Sequence, residues 1–197
     1  MNIDEIRRSS YRNFHTRGLD YVCLSRGDSL TVKAYFIHGD VTDAPELVVP
    51  HNHRYDFTTQ VLDGQVSNQT FDMTNGDGVQ LFDYRTPLNG GDGFTWVDEC
   101  GLEVADDICY HKGETYHQRA HEIHTLKLHS KDTVLILYQF EDVLDLSEPS
   151  QSFRIGDGKE LPNMDGLYDE FSNDQIMQRL ARLRHLGFET RLLDGYA

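Results

Sequence analysis

The chain has 197 residues, the size of one domain, and its 38% apolar and 11% aromatic content is enough for a packed core and too much for a disordered acidic tail. It carries 33 Asp and Glu against 18 Lys and Arg, a net charge of −15, which argues against a general nucleic-acid binder and against an anchor on anionic lipid.

In chain order, the first prediction is a helix over about 3–14. Asn2 is placed to cap it, Glu5 stands three residues on, and Ile3 and Ile6 share a face. Met1 to Arg17 is polar and charged, unlike a secretion signal, and no apolar run approaches the ~20 residues needed to span a bilayer. Cys23, Cys100 and Cys109 cannot all pair, so the expectation is a cytoplasmic protein with free thiols.

Residues 20–145 read as a succession of strands and turns. Tyr21 to Leu24 is a short β-run, Arg26 to Ser29 a turn, and Leu30 to Ile37 an alternating strand closed by His38-Gly-Asp. Phe57 to Val61 leads into Asp63-Gly64, a strong hairpin signal, and Gln65 to Met73 returns. Asn75 to Gly78 and Asn89 to Gly93 read as turns. Phe94 to Val97, Glu103 to Ala105, Ile108 to Tyr110, Ile123 to Leu128 and Thr133 to Phe140 complete the strands, a pattern that suggests an antiparallel sandwich or barrel. A helix over about 173–186 follows, with Ser172 as cap, Gln175 in the capping-box position, an apolar stripe of Ile176, Leu180 and Leu183, and Gly187 as stop. The expected organisation is one domain over 1–197.

Charge is uneven along this plan. Residues 1–17 are net +2, residues 173–197 net +1, and residues 18–172 net −18. The acidic body serves solubility, and the basic ends, including Arg179, Arg182 and Arg184, either face outward or meet acidic strands or a partner subunit.

Ten histidines stand out, two of them in His51-Asn52-His53 and five between 111 and 129. Alternate residues of a strand share a face, so His51 and His53 point the same way and can reach one ion, with Tyr55, Phe57, Thr59 and Val61 on that side. A third ligand comes from the second cluster. With His124, Leu126 and Leu128 face inward, while Thr125, Lys127 and His129 face out; His111, His117, His121 and His129 read as exposed or loop histidines.

The run from Pro50 to Gly64, Pro-His-Asn-His-Arg-Tyr-Asp-Phe-Thr-Thr-Gln-Val-Leu-Asp-Gly, resembles the first motif of the cupin superfamily: two histidines one residue apart, an acid four beyond, and a glycine seven beyond that. Gly113-Glu-Thr-Tyr-His-Gln-Arg-Ala-His-Glu-Ile-His124 resembles the second motif, whose strand carries the last metal histidine. The resemblance spans roughly 20–145 and implies an all-β fold: a double-stranded β-helix, or jelly-roll barrel, with flanking N- and C-terminal helices and a metal near one mouth. Phe57 occupies the acid position of the first motif. Its neighbour Asp56 is turned away by parity and reaches the site only through a slipped register or bulge. The ligands implied are His51, His53 and His124.

Three-histidine sites resemble the thiol-dioxygenase branch typified by cysteine dioxygenase, which implies one Fe(II), a small anionic thiol- or enolate-type substrate and O₂. Nickel, zinc, manganese and copper also suit the donor set. The match departs at Thr58, where some members carry a crosslinked cysteine, and at Leu135 to Phe140, which replaces a Ser-x-His-x-Tyr run. Tyr138 and Gln139 are the polar catalytic candidates there. Arg54 is a candidate clamp for an acidic group, with Arg26 and Lys33 equivalent choices, and Tyr55, Thr59, Gln60 and Tyr116 are candidate hydrogen-bonding partners of a ligand. The alternatives to a dioxygenase are a non-redox cupin lyase, isomerase or epimerase, and a non-catalytic small-molecule-binding cupin. A homodimer is compatible with either.

Overall fold

The strand Leu30–His38 shows how the sequence builds the barrel. Its odd positions Thr31, Lys33, Tyr35 and Ile37 face an interior cavity, while Val32, Ala34 and Phe36 face a second core beneath the helices. The computed structural model describes residues 2–38, 49–86, 90–145, 148–156, 158–159 and 165–189. Within them the order is α1 (Ile3–Arg8), β1 (Tyr11–Arg12), β2 (Leu19–Arg26), β3 (Leu30–His38), β4 (Tyr55–Asp63), β5 (Gln65–Arg85), β6 (Gly93–His111), β7 (Thr115–Gln118), β8 (Ile123–Leu128), β9 (Asp132–Asp142), β10 (Ser150–Ile155), β11 (Asp169–Glu170) and α2 (Asn173–His185). The expected turn residues Gly39, Asp40 and Asn89 lie outside the described residues.

Two antiparallel sheets face each other as a jelly roll. One runs β11-β1-β2-β3-β9-β4-β7; the other runs β10-β5-β6, with β8 also on β5. The outer face of the first sheet buries Val22, Ala34, Phe36, Val134 and Ile136 against Ile6 of α1 and Ile176, Leu180 and Leu183 of α2. Its inner face contributes Ile37, Val61 and Leu135 to a core shared with Val66 and Leu128 of the second sheet.

The C-terminal helix has the expected ends. Ser172 Oγ accepts from the Gln175 N–H, the Gln175 side chain accepts from the Ser172 N–H, and Gly187 adopts φ 81°. The Gly187 and Phe188 N–H groups bond back to the Arg184 and Leu183 carbonyls at 2.9 and 3.0 Å, closing the orphan carbonyls of the last turn. Arg179 meets Asp20 of β2 at 2.6 Å and Arg182 meets Asp63 of β4 at 2.8 Å, so basic helix and acidic body pack together.

Three boundaries differ from expectation. The first helix stops at Arg8, short of 14, because Ser10 Oγ turns back to the Ile6 carbonyl at 2.5 Å and accepts from the Cys23 N–H at 2.9 Å, drawing Tyr11 and Arg12 into the sheet. Asn75 to Gly78 do not end a strand. They loop out between the pairs Thr74↔Gly101 and Val79↔Cys100 while β5 continues to Arg85, and the short strands expected after residue 93 are one strand, β6. The β-structure also extends past residue 145, where β10 pairs with the far half of β5.

Candidate metal centre

His51 and His53 stand on the crossing between the two sheets. Residues 50–53 form a strap wedged between β8 and β10. His51 exchanges both backbone bonds with His124 at 3.0 and 2.9 Å, and on the other edge the Phe153 N–H donates to the Pro50 carbonyl and the Asn52 N–H to the Gln151 carbonyl. The His53 N–H donates to the Ala120 carbonyl at 2.8 Å, and β4 then begins at Tyr55 in the opposite sheet. Backbone pairing thus sets the two motifs in register.

The three expected histidines converge. One ring nitrogen from each of His51, His53 and His124 lies within 4.8 Å of the others, and no Asp, Glu or Cys joins the group among the described residues. His53 Nε2 and His124 Nε2 are 2.9 Å apart. Two nitrogens held by one ion at about 2.0–2.1 Å and a right angle stand about 3 Å from each other, so this spacing suits a shared divalent ion. His51 Nδ1 donates to the Val49 carbonyl at 2.9 Å and His124 Nδ1 lies 2.7 Å from Asn68 Oδ1, which leaves Nε2 free on both rings. Although His51 and His53 keep partial solvent contact, desolvation in the barrel lowers the pKa of all three rings; neighbouring histidines lower His53 and His124 further. All three rings are therefore neutral near pH 7, the form in which an imidazole can hold a metal ion.

No carboxylate rescues the motif. Phe57 is 1% exposed and sets its ring 4.8 Å from His53 and 5.6 Å from His124. Asp56 points away, its Oδ1 accepting from the Ala120 N–H at 2.7 Å.

The other candidates divide. Tyr55, Thr59, Tyr116 and Gln139 line the same cavity as the histidines. Tyr138 does not: it packs against the core under the helices, since Thr133, Leu135, Leu137 and Gln139 take the inner parity and leave Tyr138 outside. Arg54 is spent elsewhere. Its Nε pairs with Asp142 at 3.3 Å and its other nitrogens donate to the Leu144, Asp145 and Glu148 carbonyls, which leaves no fork for a ligand. His111, His117, His121 and His129 are exposed, as expected; Thr125, expected outward, is fully buried.

Lys33 is the cation that remains in the interior. It is 8% exposed, donates to the Tyr55 hydroxyl at 3.2 Å, lies over the Tyr55 and Tyr21 rings, and has no carboxylate partner among the described residues. Tyr55 separates it from His53, whose ring centre is 5.3 Å from that of Tyr55. Other cations around the cavity are paired: Arg54 with Asp142, Arg85 with Asp92 and Lys127 with Asp107.

One group had no signal in the sequence. His15 and Tyr168 adopt φ of 63° and 61°, and the Tyr168 hydroxyl is hydrogen-bonded to His15 Nδ1 at 2.8 Å and to the Tyr84 hydroxyl at 3.0 Å, at the cavity wall. Left-handed backbone at two non-glycine residues, brought together from distant segments, has no marker in local composition.

Fold and site together define a jelly-roll barrel with a three-histidine centre at its mouth. No protein-family model and no curated protein matches the chain. Solved structures similar to it include hydroxypropylphosphonic acid epoxidase from S. wedmorenis (14% identity, TM-score 0.43, 68% of this chain and 56% of that one). A cupin superfamily protein from Desulfitobacterium hafniense (10%, 0.37, 63% and 78%) and an RmlC-like cupin from Shewanella frigidimarina (13%, 0.37, 64% and 78%) are also similar. This chain spans little more than half the length of the epoxidase. These likenesses are remote; the barrel is defined here by its own strand order and the centre by its own side chains.

Proposed function

We propose that the protein is a metal-dependent cupin, and more narrowly a non-haem Fe(II) dioxygenase acting on a small anionic substrate of thiol or enolate type. The observation that carries this reading is the convergence of three neutral imidazoles with a phenylalanine where a ligand carboxylate would stand. A divalent ion held by such a set keeps its full charge, favours an anionic donor and offers open positions for that donor and O₂. The chain's own residues supply the rest. Phe57 and Leu137 make the wall beside the histidines apolar and keep water from that side. Lys33 and the Tyr55 hydroxyl are placed to hold an acidic group of the substrate, and Thr59, Tyr116 and Gln139 complete the polar lining. Substrate and O₂ are the partners this chemistry requires.

The test is elemental analysis of protein purified without a polyhistidine tag, in the wild type and in His53→Ala, followed by oxygen uptake with a panel of small mercapto-acids and diketones. The expected result is about one iron per chain, lost in the variant, with uptake on at least one compound. Bound zinc with no uptake across the panel would sink the dioxygenase reading.

A further inference from the structure

Asn68, Gln118 and Glu122 form a hydrogen-bonded chain behind His124. Asn68 Oδ1 lies 2.7 Å from His124 Nδ1, and Asn68 Nδ2 donates to Gln118 Oε1 at 2.9 Å. Gln118 Nε2 donates to Glu122 Oε2 at 3.0 Å, and the Arg119 N–H donates to the same oxygen at 3.0 Å. The links come from β5, β7, the β7–β8 turn and β8. Asn68, Gln118 and His124 are 6%, 1% and 3% exposed, so each buried amide is satisfied by the next.

A chain of amides has two polarities, because each amide has one donor end and one acceptor end; the terminal groups decide between them. Glu122 Oε2 accepts from the Arg119 N–H, which can only donate, so this oxygen is fixed as the acceptor end of the chain. Gln118 therefore presents its NH₂ to Glu122 and its carbonyl to Asn68. Asn68 in turn spends its NH₂ on Gln118 and presents its carbonyl to His124 Nδ1, which must then carry the ring proton. Nε2 is left with its lone pair, 2.9 Å from His53 Nε2. The reverse polarity would set the Asn68 NH₂ against Nδ1, move the proton to Nε2 and remove that lone pair from the centre.

We propose that Glu122 is a positioning residue of the three-histidine centre: through Gln118 and Asn68 its carboxylate fixes the His124 tautomer whose Nε2 is free to bind a divalent metal. The use of this tautomer rests on the metal reading above, whereas the tautomer itself is a property of the metal-free chain. Outer partners of ligating histidines typically change metal affinity by about 10- to 100-fold.

Two measurements on the full chain test this. Two-bond proton–nitrogen correlation spectra of the labelled, metal-free protein, taken where the rings are neutral, read the tautomer; competition with a chelator reads Zn²⁺ affinity. The wild type is expected to hold His124 as the Nδ1–H form. Gln118→Met cuts the chain but leaves Asn68 against His124; a substantial Nε2–H population and about 10- to 100-fold weaker Zn²⁺ binding are expected. The double variant Gln118→Glu with Glu122→Gln moves the carboxylate one link inward, where it accepts from both Asn68 and the new amide at 122, and it should restore both readouts. If Gln118→Met fails to fold, Glu122→Ala at the half-buried end of the chain carries the same expectation. His124 remaining wholly Nδ1–H in the cut chain, or no recovery in the double variant, overturns the proposal. A wild type that binds no Zn²⁺ while the tautomer responds as expected overturns the metal reading and leaves the relay standing.

Discussion

The ring of Phe57 lies edge-on to that of His53, centres 4.8 Å apart and planes inclined by 79°, so that a wholly apolar residue braces a histidine of the centre from the position where the motif calls for an acid. The same side chain touches the His124 ring, and with Tyr116 and Leu137 it forms a small buried cluster beneath the centre. Support of this kind is steric. It holds ring orientation without adding charge, which leaves the centre electrically neutral apart from whatever ion it takes.

Phe57→Ala should therefore be felt as a packing loss. Truncating a fully buried phenylalanine removes transfer energy and leaves a cavity, about 3–5 kcal/mol in total. Urea unfolding should show an unfolding free energy lowered by that amount, with the midpoint shifted down in proportion at unchanged slope, while Zn²⁺ stoichiometry stays at about one per chain. A variant with wild-type stability and no bound metal would show that Phe57 acts on the ion by some route other than packing.

The C-terminal helix should contribute through its stripe and its cap separately. Leu183→Ala removes a fully buried side chain and should cost about 2–5 kcal/mol. Ser172→Ala removes the side-chain half of the capping box and should cost about 1 kcal/mol. The two residues lie at opposite ends of the helix, so the double variant should sum the single effects within about 0.5 kcal/mol. A denaturation series that finds the cap more important than the stripe would contradict the packing seen here.

What the sequence disclosed follows from where the physics is local. Capping boxes and the period-two faces of β3, β4 and β9 depend on neighbours within a few residues, and each appears where the pattern puts it. Asp63-Gly64 turns the chain, with φ 85° at Gly64, but makes no hairpin: β4 pairs with β7 and β9 in one sheet, β5 with β6, β8 and β10 in the other, so the turn carries the chain from sheet to sheet, a distinction that only the pairing partners decide. The histidine triad was legible because His51 and His53 stand two residues apart just ahead of β4 and His124 lies in the β-run of β8, although the alternation expected there fails at the buried Thr125, which faces β5 from a strand covered on both sides. Asn75 to Gly78 misled because turn-forming residues also build bulges, and only the partner strand decides which. Arg54 misled for another reason: its carbonyl partners at 144, 145 and 148 become neighbours only after β9 returns beside β4. Tyr138 depended on a parity that needed the buried Thr133 as its anchor.

Lys33 should trade stability for anion affinity. A buried ammonium with one hydroxyl partner and two aromatic faces is incompletely compensated, so Lys33→Met should raise the unfolding midpoint. In the metal-loaded protein the same variant should weaken mercaptoacetate binding roughly tenfold or more, as expected for loss of a charged hydrogen bond, and leave 2-mercaptoethanol nearly unchanged. Equal losses for the two thiols, read by calorimetry, would show that Lys33 does not recognise the acidic group.

His15 should set part of the acid sensitivity of the fold. Its pKa is lowered from 6.5 to about 3, first by desolvation, then by His51 and Lys33. The folded pKa lies below the unfolded one, so the unfolded chain takes up a proton that the folded chain refuses. The stability it contributes is complete above pH about 6.5 and is lost progressively as pH falls toward 3. His15 is itself exposed to solvent, which screens the ring, so the direction of the effect holds while its size is a fraction of what a buried histidine would give, and the loss sets in below about pH 6.5. His15→Asn keeps a residue type that tolerates the φ of 63° and removes the titration. Urea midpoints of wild type and variant, followed from about pH 8 down to about pH 4.5, should run parallel above neutrality and diverge below it, with the wild type falling more steeply. Parallel curves over the whole range would mean that the imidazole takes its proton in the cavity as readily as in the unfolded chain.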